Sequence, residues 1–220
     1  MRKLVAVTQM TLDGVMQAPG GPEEDPTGGF EIGGWSVGYF DDVLGQQIGE
    51  AMSQPFDLVL GRKTYEIFAA HWPFDEGPIA DAINGATKHV ASTTLDSVDW
   101  AGSRLIEGDV ATAVRSLKEE DGPELQVLGS SDLLQTLLGN GLVDEFRLWV
   151  FPVIAGSGKR LFGEGAAPAG LRLISSSTST SGVTIATYEA AGDIQKGSFA
   201  FEEPTEVEVK RREALGDGES

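Results

Sequence analysis

A chain of 220 residues is long enough to bury a sizeable core in one domain, and its 34 acidic against 16 basic side chains give a formal net charge of −18. Such a surface repels DNA, RNA and anionic membranes. The one compact basic group, Lys210-Arg211-Arg212, is flanked by Glu206, Glu208 and Glu213 and reads as a solvated face, while the absence of cysteine excludes disulfides, thiolate nucleophiles and sulfur-ligated metals and accords with a reducing cytoplasm.

Residues 4–8 (LVAVT) read as a buried first strand, too short an apolar run for a signal sequence, and no apolar run approaches the roughly 18 residues of a membrane span. Thr11-Leu12-Asp13-Gly14 follows as a turn at the strand's carboxyl end, where ligand loops often sit. Residues 18–38, rich in Gly, Pro and acids, suggest a lid or substrate loop, with Trp35 and Tyr39 either stacking on a flat ligand or anchoring the loop. A helix is predicted over 41–52, stopped by Pro55, and a buried strand over 56–60. Gly61-Arg62-Lys63-Thr64 then opens a helix with two cations at its first turn, which the helix dipole disfavours; either an anion sits among them or the side chains extend into water.

A short helix over 78–84 leads to a strand over 88–92 that ends in Ser92-Thr93-Thr94, and Asp109 caps an amphipathic helix over 109–119. The most organised stretch is 125–162. A strand (125–128) stops at Gly129, Ser130 and Ser131 offer N-cap oxygens, and Leu133, Leu134, Leu137 and Leu138 form one helical stripe that ends at Gly139-Asn140-Gly141. Such a glycine turn aims N–H groups beyond the strand end, which suits a phosphate, though a plain strand-to-helix connection has the same composition. Residues 144–153 read as a long strand apolar on both faces, hence central or paired across a subunit boundary, and 171–177 and 183–189 as an antiparallel pair.

The pattern predicts an α/β fold: a mixed, mostly parallel sheet flanked by helices on both faces, with antiparallel strands at its C-terminal end. Residues 1–191 form the domain. Residues 192–220 read as an acidic C-terminal arm, extended and then partly disordered, with seven acids and three bases in its last twenty positions.

Three motifs fail on context. Gly34-Trp35-Ser36-Val37-Gly38 lacks the strand and helix of a nucleophile elbow; Gly156-Ser157-Gly158-Lys159 lacks the first glycine and the Ser/Thr of a phosphate loop; and His71 and His89 form no metal-ligand pattern, so no metal is expected.

Taken together, T-L-D-G (11–14), G-R-K-T-Y-E (61–66), S-T-T-L (92–95), G-S-S-x-L-x-x-x-L-L (129–138), G-L-V-D-E (141–145) and P-V-I-A-G-S-G-K-R-L-F (152–162) resemble the dihydrofolate reductase-like family, in particular the reductase domain of the bifunctional riboflavin-biosynthesis deaminase/reductase. The resemblance implies NADPH as cofactor and a small planar heterocycle, a pterin or pyrimidine, as substrate. It places Arg62, Lys63 and Thr64 on the cofactor's phosphates, Ser92 and Thr93 at the 2′-phosphate, and Gly129, Ser130 and Ser131 at the pyrophosphate turn, with Ser130 standing where the family has a second glycine. Thr11, Asp13 and Gly14 would border the substrate, Asp13 as first candidate for a polar catalytic contact, and Trp35 would close over it. Asp41 or Asp42 either anchors a pterin or simply starts a helix. A homodimer is implied. Riboflavin-pathway reductases look to carry Lys and Glu where this chain has Val7 and Leu128, which leaves open a nucleotide-binding protein without turnover, acting as a sensor or partner-binding module.

Overall fold

The computed structural model describes residues 1–163 and 166–216. Runs too apolar to face water on either side form the middle of one sheet: β1 (Leu4–Thr11), β2 (Phe56–Gly61), β3 (Lys88–Ala91) and β5 (Glu124–Leu128), with Leu4, Val5, Leu58, Val59, Leu60, Leu125 and Val127 wholly buried. The edge β4 (Ser103–Leu105), the interior β6 (Glu145–Phe151) and the hairpin β7 (Leu171–Thr178) and β8 (Thr184–Ala190) complete the order β4-β3-β2-β5-β1-β6-β8-β7. Pairing is parallel from β4 to β6 and antiparallel beyond, as alternating strand-helix units followed by a short connection require.

Helices α1 (Asp42–Ala51), α2 (Arg62–His71) and α3 (Pro78–Gly85) cover one face, where Val5, Val7, Leu58 and Leu60 meet Leu44, Ile48, Tyr65 and Ile83. Helices α4 (Val110–Glu119) and α5 (Ser131–Gly139) cover the other, where Leu4, Ala6 and Val127 meet Val114, Leu133, Leu134 and Leu137. Each buried leucine of the α5 stripe contributes about 1.5–3 kcal/mol of burial, so packing rather than propensity holds this nine-residue helix. The chain leaves β2 through α2 on one face and the neighbouring β5 through α5 on the other, which opens a crevice at the carboxyl ends of these two strands.

The structure decides some expectations and corrects others. The 18–38 segment borders the cavity through Ala18, Pro19, Glu24 and Asp25 and is tied to the body: Ala18 and Phe30 are buried with Val15, Gly34 N–H donates to Ala18 O (2.8 Å), and Ser36 Oγ donates to Pro19 O (2.8 Å). Strand β6 lies inside the sheet between β1 and β8, which accounts for its two apolar faces without a subunit boundary. Strand β4 has a single leucine in three residues and gives no sequence signal. Within the arm, α6 (Glu206–Gly216) forms where an extended chain is expected, because Thr205 Oγ1 caps Glu208 N–H and Glu208 accepts from both Arg211 and Arg212. Residues 217–220, where disorder is expected, lie outside the described residues. Among the described residues no helix is long and apolar enough to cross a membrane.

Candidate active site

The crevice continues into a cavity of about 670 Å³ lined from both sheet faces. Its mouth is built by two helix starts. Gly61, the N-cap of α2, and Ser130, the N-cap of α5, make no side-chain cap, so the first-turn N–H groups of both helices are left for a ligand. Ser130 does not cap its own helix as expected; its Oγ accepts from Gly61 N–H (2.8 Å) and donates to Thr64 Oγ1 (2.7 Å), locking the two N-termini together. These two bonds hold a serine at a left-handed position, φ 65°, directly after Gly129 at φ 77°. The conformation costs a side chain about 1–2 kcal/mol, which the two hydrogen bonds offset.

Cations ring the mouth, each already engaged. Arg62 pairs with Glu66 one turn on (3.0 Å), Lys63 Nζ donates to Thr27 Oγ1 (3.3 Å), and Lys159 Nζ donates to Asp25 (2.5 Å) and Thr27 Oγ1 (3.1 Å). Ser92 Oγ accepts from Thr94 and Leu95 N–H (3.1 and 3.0 Å), which leaves its hydroxyl proton for an acceptor in the cavity. Thr93 lines the same wall. Two carboxyls on the rim, Glu24 and Asp25, diverge: burial raises Glu24 above the usual carboxylate range, whereas Lys159 and Thr27 hold Asp25 below it against the opposing effect of burial.

The structure thus brings Arg62, Lys63, Thr64, Ser92, Thr93, Gly129, Ser130 and Ser131 to one mouth. It does not bring Thr11, Asp13, Gly14 or Trp35 to the cavity. Asp13 faces away from it, accepting from Thr11 Oγ1 (2.6 Å), Ala155 N–H (2.9 Å), Gly156 N–H (2.8 Å) and Arg160 (3.3 Å). The Thr11 hydroxyl first, then the Ala155 amide, holds its carboxyl far below the usual range, so Asp13 is a fixed anion that staples β1's exit to the 155–160 loop and cannot relay protons near neutrality. Thr11 is buried and its Oγ1 also accepts from Val15 N–H (3.0 Å), while Gly14 supplies the turn's positive φ, 84°. Trp35 anchors the 18–38 segment: Nε1 donates to Gln17 O (2.8 Å) and the ring meets Phe151 edge-on at 5.3 Å. Asp41 caps α1 at Leu44 N–H (2.8 Å) and ties it to Ser181 N–H (2.8 Å), and neither it nor Asp42 lines the cavity. His71 and His89 lie elsewhere, and among the described residues no group of three His, Cys, Asp or Glu could hold a metal.

Sequence reasoning named Val7 and Leu128 only as departures from the family's Lys and Glu, and it missed Gln9 and Trp149. Val7 and Leu128 are register partners on adjacent strands, as are Gln9 and Trp149, and all four line the cavity on the α1 side. Gln9 Oε1 and, on the opposite face, Thr8 Oγ1 are buried without a hydrogen-bond partner. A polar pair inside an otherwise apolar strand was the available signal.

A family model for the RibD C-terminal domain matches residues 2–185. The chain belongs to the RibD C-terminal domain family. It is similar to the uncharacterized protein YyaP of Bacillus subtilis strain 168, 26% identical over 196 residues that cover 87% of this chain and 96% of that one. A second relative, the uncharacterized protein YwjB of the same organism, is 28% identical over 110 residues, 49% of this chain and 58% of its own. Among solved structures, a Shewanella sp. PV-4 protein named for riboflavin biosynthesis superposes with a TM-score of 0.61 at 20% identity, covering 86% of this chain and 99% of its own. A pyrimidine reductase-like protein of Corynebacterium diphtheriae gives 0.56 at 14% identity, covering 87% and 93%. These two likenesses confirm the dihydrofolate reductase-like architecture expected from the motifs.

Proposed function

We propose that the protein is an NADPH-dependent reductase of a small planar heterocycle. The observation that carries this reading is the joining of two uncapped helix N-termini by Ser130, at the mouth of a cavity whose α1 side is lined by Val7, Leu128 and Trp149. The free amides of α2 and α5 suit a pyrophosphate, and Arg62, Lys63, Ser92 and Thr93 suit an additional phosphate beside it. When bound, the cofactor would supply hydride chemistry, two electrons and one hydrogen nucleus, and one proton from solvent would balance the reduction. The chain's part is to orient and desolvate: Val7, Leu128 and Trp149 exclude water at the inner end, and the helix starts hold the charged end fixed. The names of the solved relatives, riboflavin biosynthesis and pyrimidine reductase-like, support a reductase of this type.

The test is loss of NADPH absorbance across a panel of pterins, pyrimidines and flavins. A second reading, a nucleotide-binding protein without turnover, draws on the uncharged Val7–Leu128 pair; binding retained with no oxidation across the panel would favour it. Replacing Arg62 with Ala is expected to weaken NADPH about tenfold or more, because a charge-assisted bond to the 2′-phosphate is lost and Glu66 is left uncompensated beside it, while NADH weakens far less. Equal losses for both cofactors would remove Arg62 from that role.

The same proposal includes a homodimer. With β6 interior, one apolar surface that could serve it is edge strand β7, where Leu171, Leu173 and Ile174 are exposed. Light scattering at micromolar concentration should return twice the chain mass, and a monomeric mass refutes the dimer.

A further inference from the structure

We infer that the inner end of the cavity is a slot for a neutral, flat, largely apolar ring that presents one hydrogen-bond donor to Gln9, and that it rejects rings bearing a carboxylate or a sugar phosphate. The inference rests on the reductase reading in taking this end as the substrate's. Two register pairs form the floor. Val7 lies beside Leu128 and Gln9 beside Trp149, and strand alternation puts all four side chains on the face that α1 covers with Ile48 and Met52. None of these six is charged.

On that face Arg147 is the register partner of Val7 on its other side, and it is consumed. Its guanidinium donates twice to Glu124 (2.7 and 2.9 Å) and once to Glu145 (2.8 Å), and it does not line the cavity. A carboxylate or phosphate entering the slot would lose its hydration and gain no cation, which is prohibitive for a small anion. The anion-binding groups all sit at the mouth, beyond Gly61 and Gly129, where the cofactor's phosphates would occupy them. A flat ring, by contrast, meets the buried Trp149 and branched side chains that reward removal of apolar surface from water.

One polar atom interrupts this surface. Gln9 Oε1 is buried and makes no hydrogen bond, a state that costs free energy until a donor arrives. A ligand with an N–H at that point satisfies it; the same ligand methylated on nitrogen leaves it orphaned and adds a clash.

Calorimetric titration with and without saturating NADPH tests the slot directly, since binding is read independently of turnover. The probes are quinazolinone, its N-methyl derivative and its carboxylate derivative. Quinazolinone should bind about tenfold more tightly than the N-methyl compound and about a hundredfold more tightly than the carboxylate. In Gln9→Leu the preference for N–H over N-methyl should vanish, and in Val7→Lys the carboxylate should overtake the neutral ring. Wild-type protein that binds the carboxylate as well as quinazolinone, or that binds no quinazolinone at millimolar concentration in either condition, overturns the inference. So does a Gln9→Leu protein that keeps the full N–H preference. Failure to oxidise NADPH with any probe while this binding order holds would instead count against the reductase reading and leave the slot intact.

Discussion

Gly158→Ala is expected to lower the stability of the fold by about 3 kcal/mol. Gly158 has φ 127°, a conformation that L side chains rarely adopt, and a Cβ there would lie 2.7 Å from Val15 Cγ1 and 2.9 Å from Phe30 Cε2. Neither neighbour can retreat. Both are buried in the small cluster that anchors the 18–38 segment, and the flanking chain is held by Met16 N–H to Lys159 O (2.8 Å) and Leu161 N–H to Gly14 O (3.1 Å). Overpacking of this kind costs about 1–3 kcal/mol and backbone strain a similar amount. Gly156→Ala, at φ 77° with open space around the new methyl, is the control and should cost only about 1–2 kcal/mol. Urea unfolding midpoints compare the two. A Gly158→Ala midpoint no lower than that of Gly156→Ala would show that the loop yields. Because Lys159 is the next residue and pairs with Asp25 on the rim, Gly158→Ala should also weaken cofactor binding.

That glycine shows where sequence reading stops. The G-S-G-K run looked like a failed phosphate loop, and its real constraint, contact with residues more than 120 positions earlier, is set by tertiary packing alone. The strands and helices of the sheet were legible because their periods report which faces are buried: the apolar runs of β1, β2 and β5, the leucine stripe of α5, the Asp109 cap of α4. Strand β4 was not, since its pairing with β3, not its composition, makes it a strand. At the site, the mouth was legible from glycine turns and clustered hydroxyls at strand ends. Asp13 was misplaced because its position at a strand end is a sequence property, whereas the direction of its carboxylate, toward the amides of residues 155 and 156, is not. Glu66 stood at i+4 from Arg62 in plain view, and its ion pair removes part of the argument that the two cations require an anion. Of the inner slot, Val7 and Leu128 were visible as departures from the family, but not as neighbours, which they become only through a parallel pairing across 121 residues, and Gln9 and Trp149 were not legible as site residues.

Between pH 8 and pH 10.5 the folded state should gain stability relative to a Lys88→Met variant, by up to about 3 kcal/mol. Lys88 is wholly buried at the start of β3, with Nζ donating to Asn84 O (2.6 Å) and Ala101 O (3.0 Å) and lying 4.2 Å from the centre of the Trp100 ring. Among the described residues it has no carboxylate partner. Burial therefore lowers its pKa from 10.5 to about 8. The sign follows from proton counts. Below pH 8 both folded and unfolded chains carry the ammonium, and above 10.5 neither does; between these values the unfolded chain binds the proton more fully, so stability climbs with pH. The two carbonyls and the indole face favour the charged form and set the figure as an upper limit. Subtracting the variant cancels the other lysines and the tyrosines, which titrate in both proteins, and it also cancels the pH-independent cost of leaving two carbonyls bare. Urea unfolding at intervals across this window gives the difference directly. Parallel stability curves for wild type and variant would mean that the two carbonyls and Trp100 solvate the ammonium as well as water does, and that the buried charge is carried at no cost to the fold.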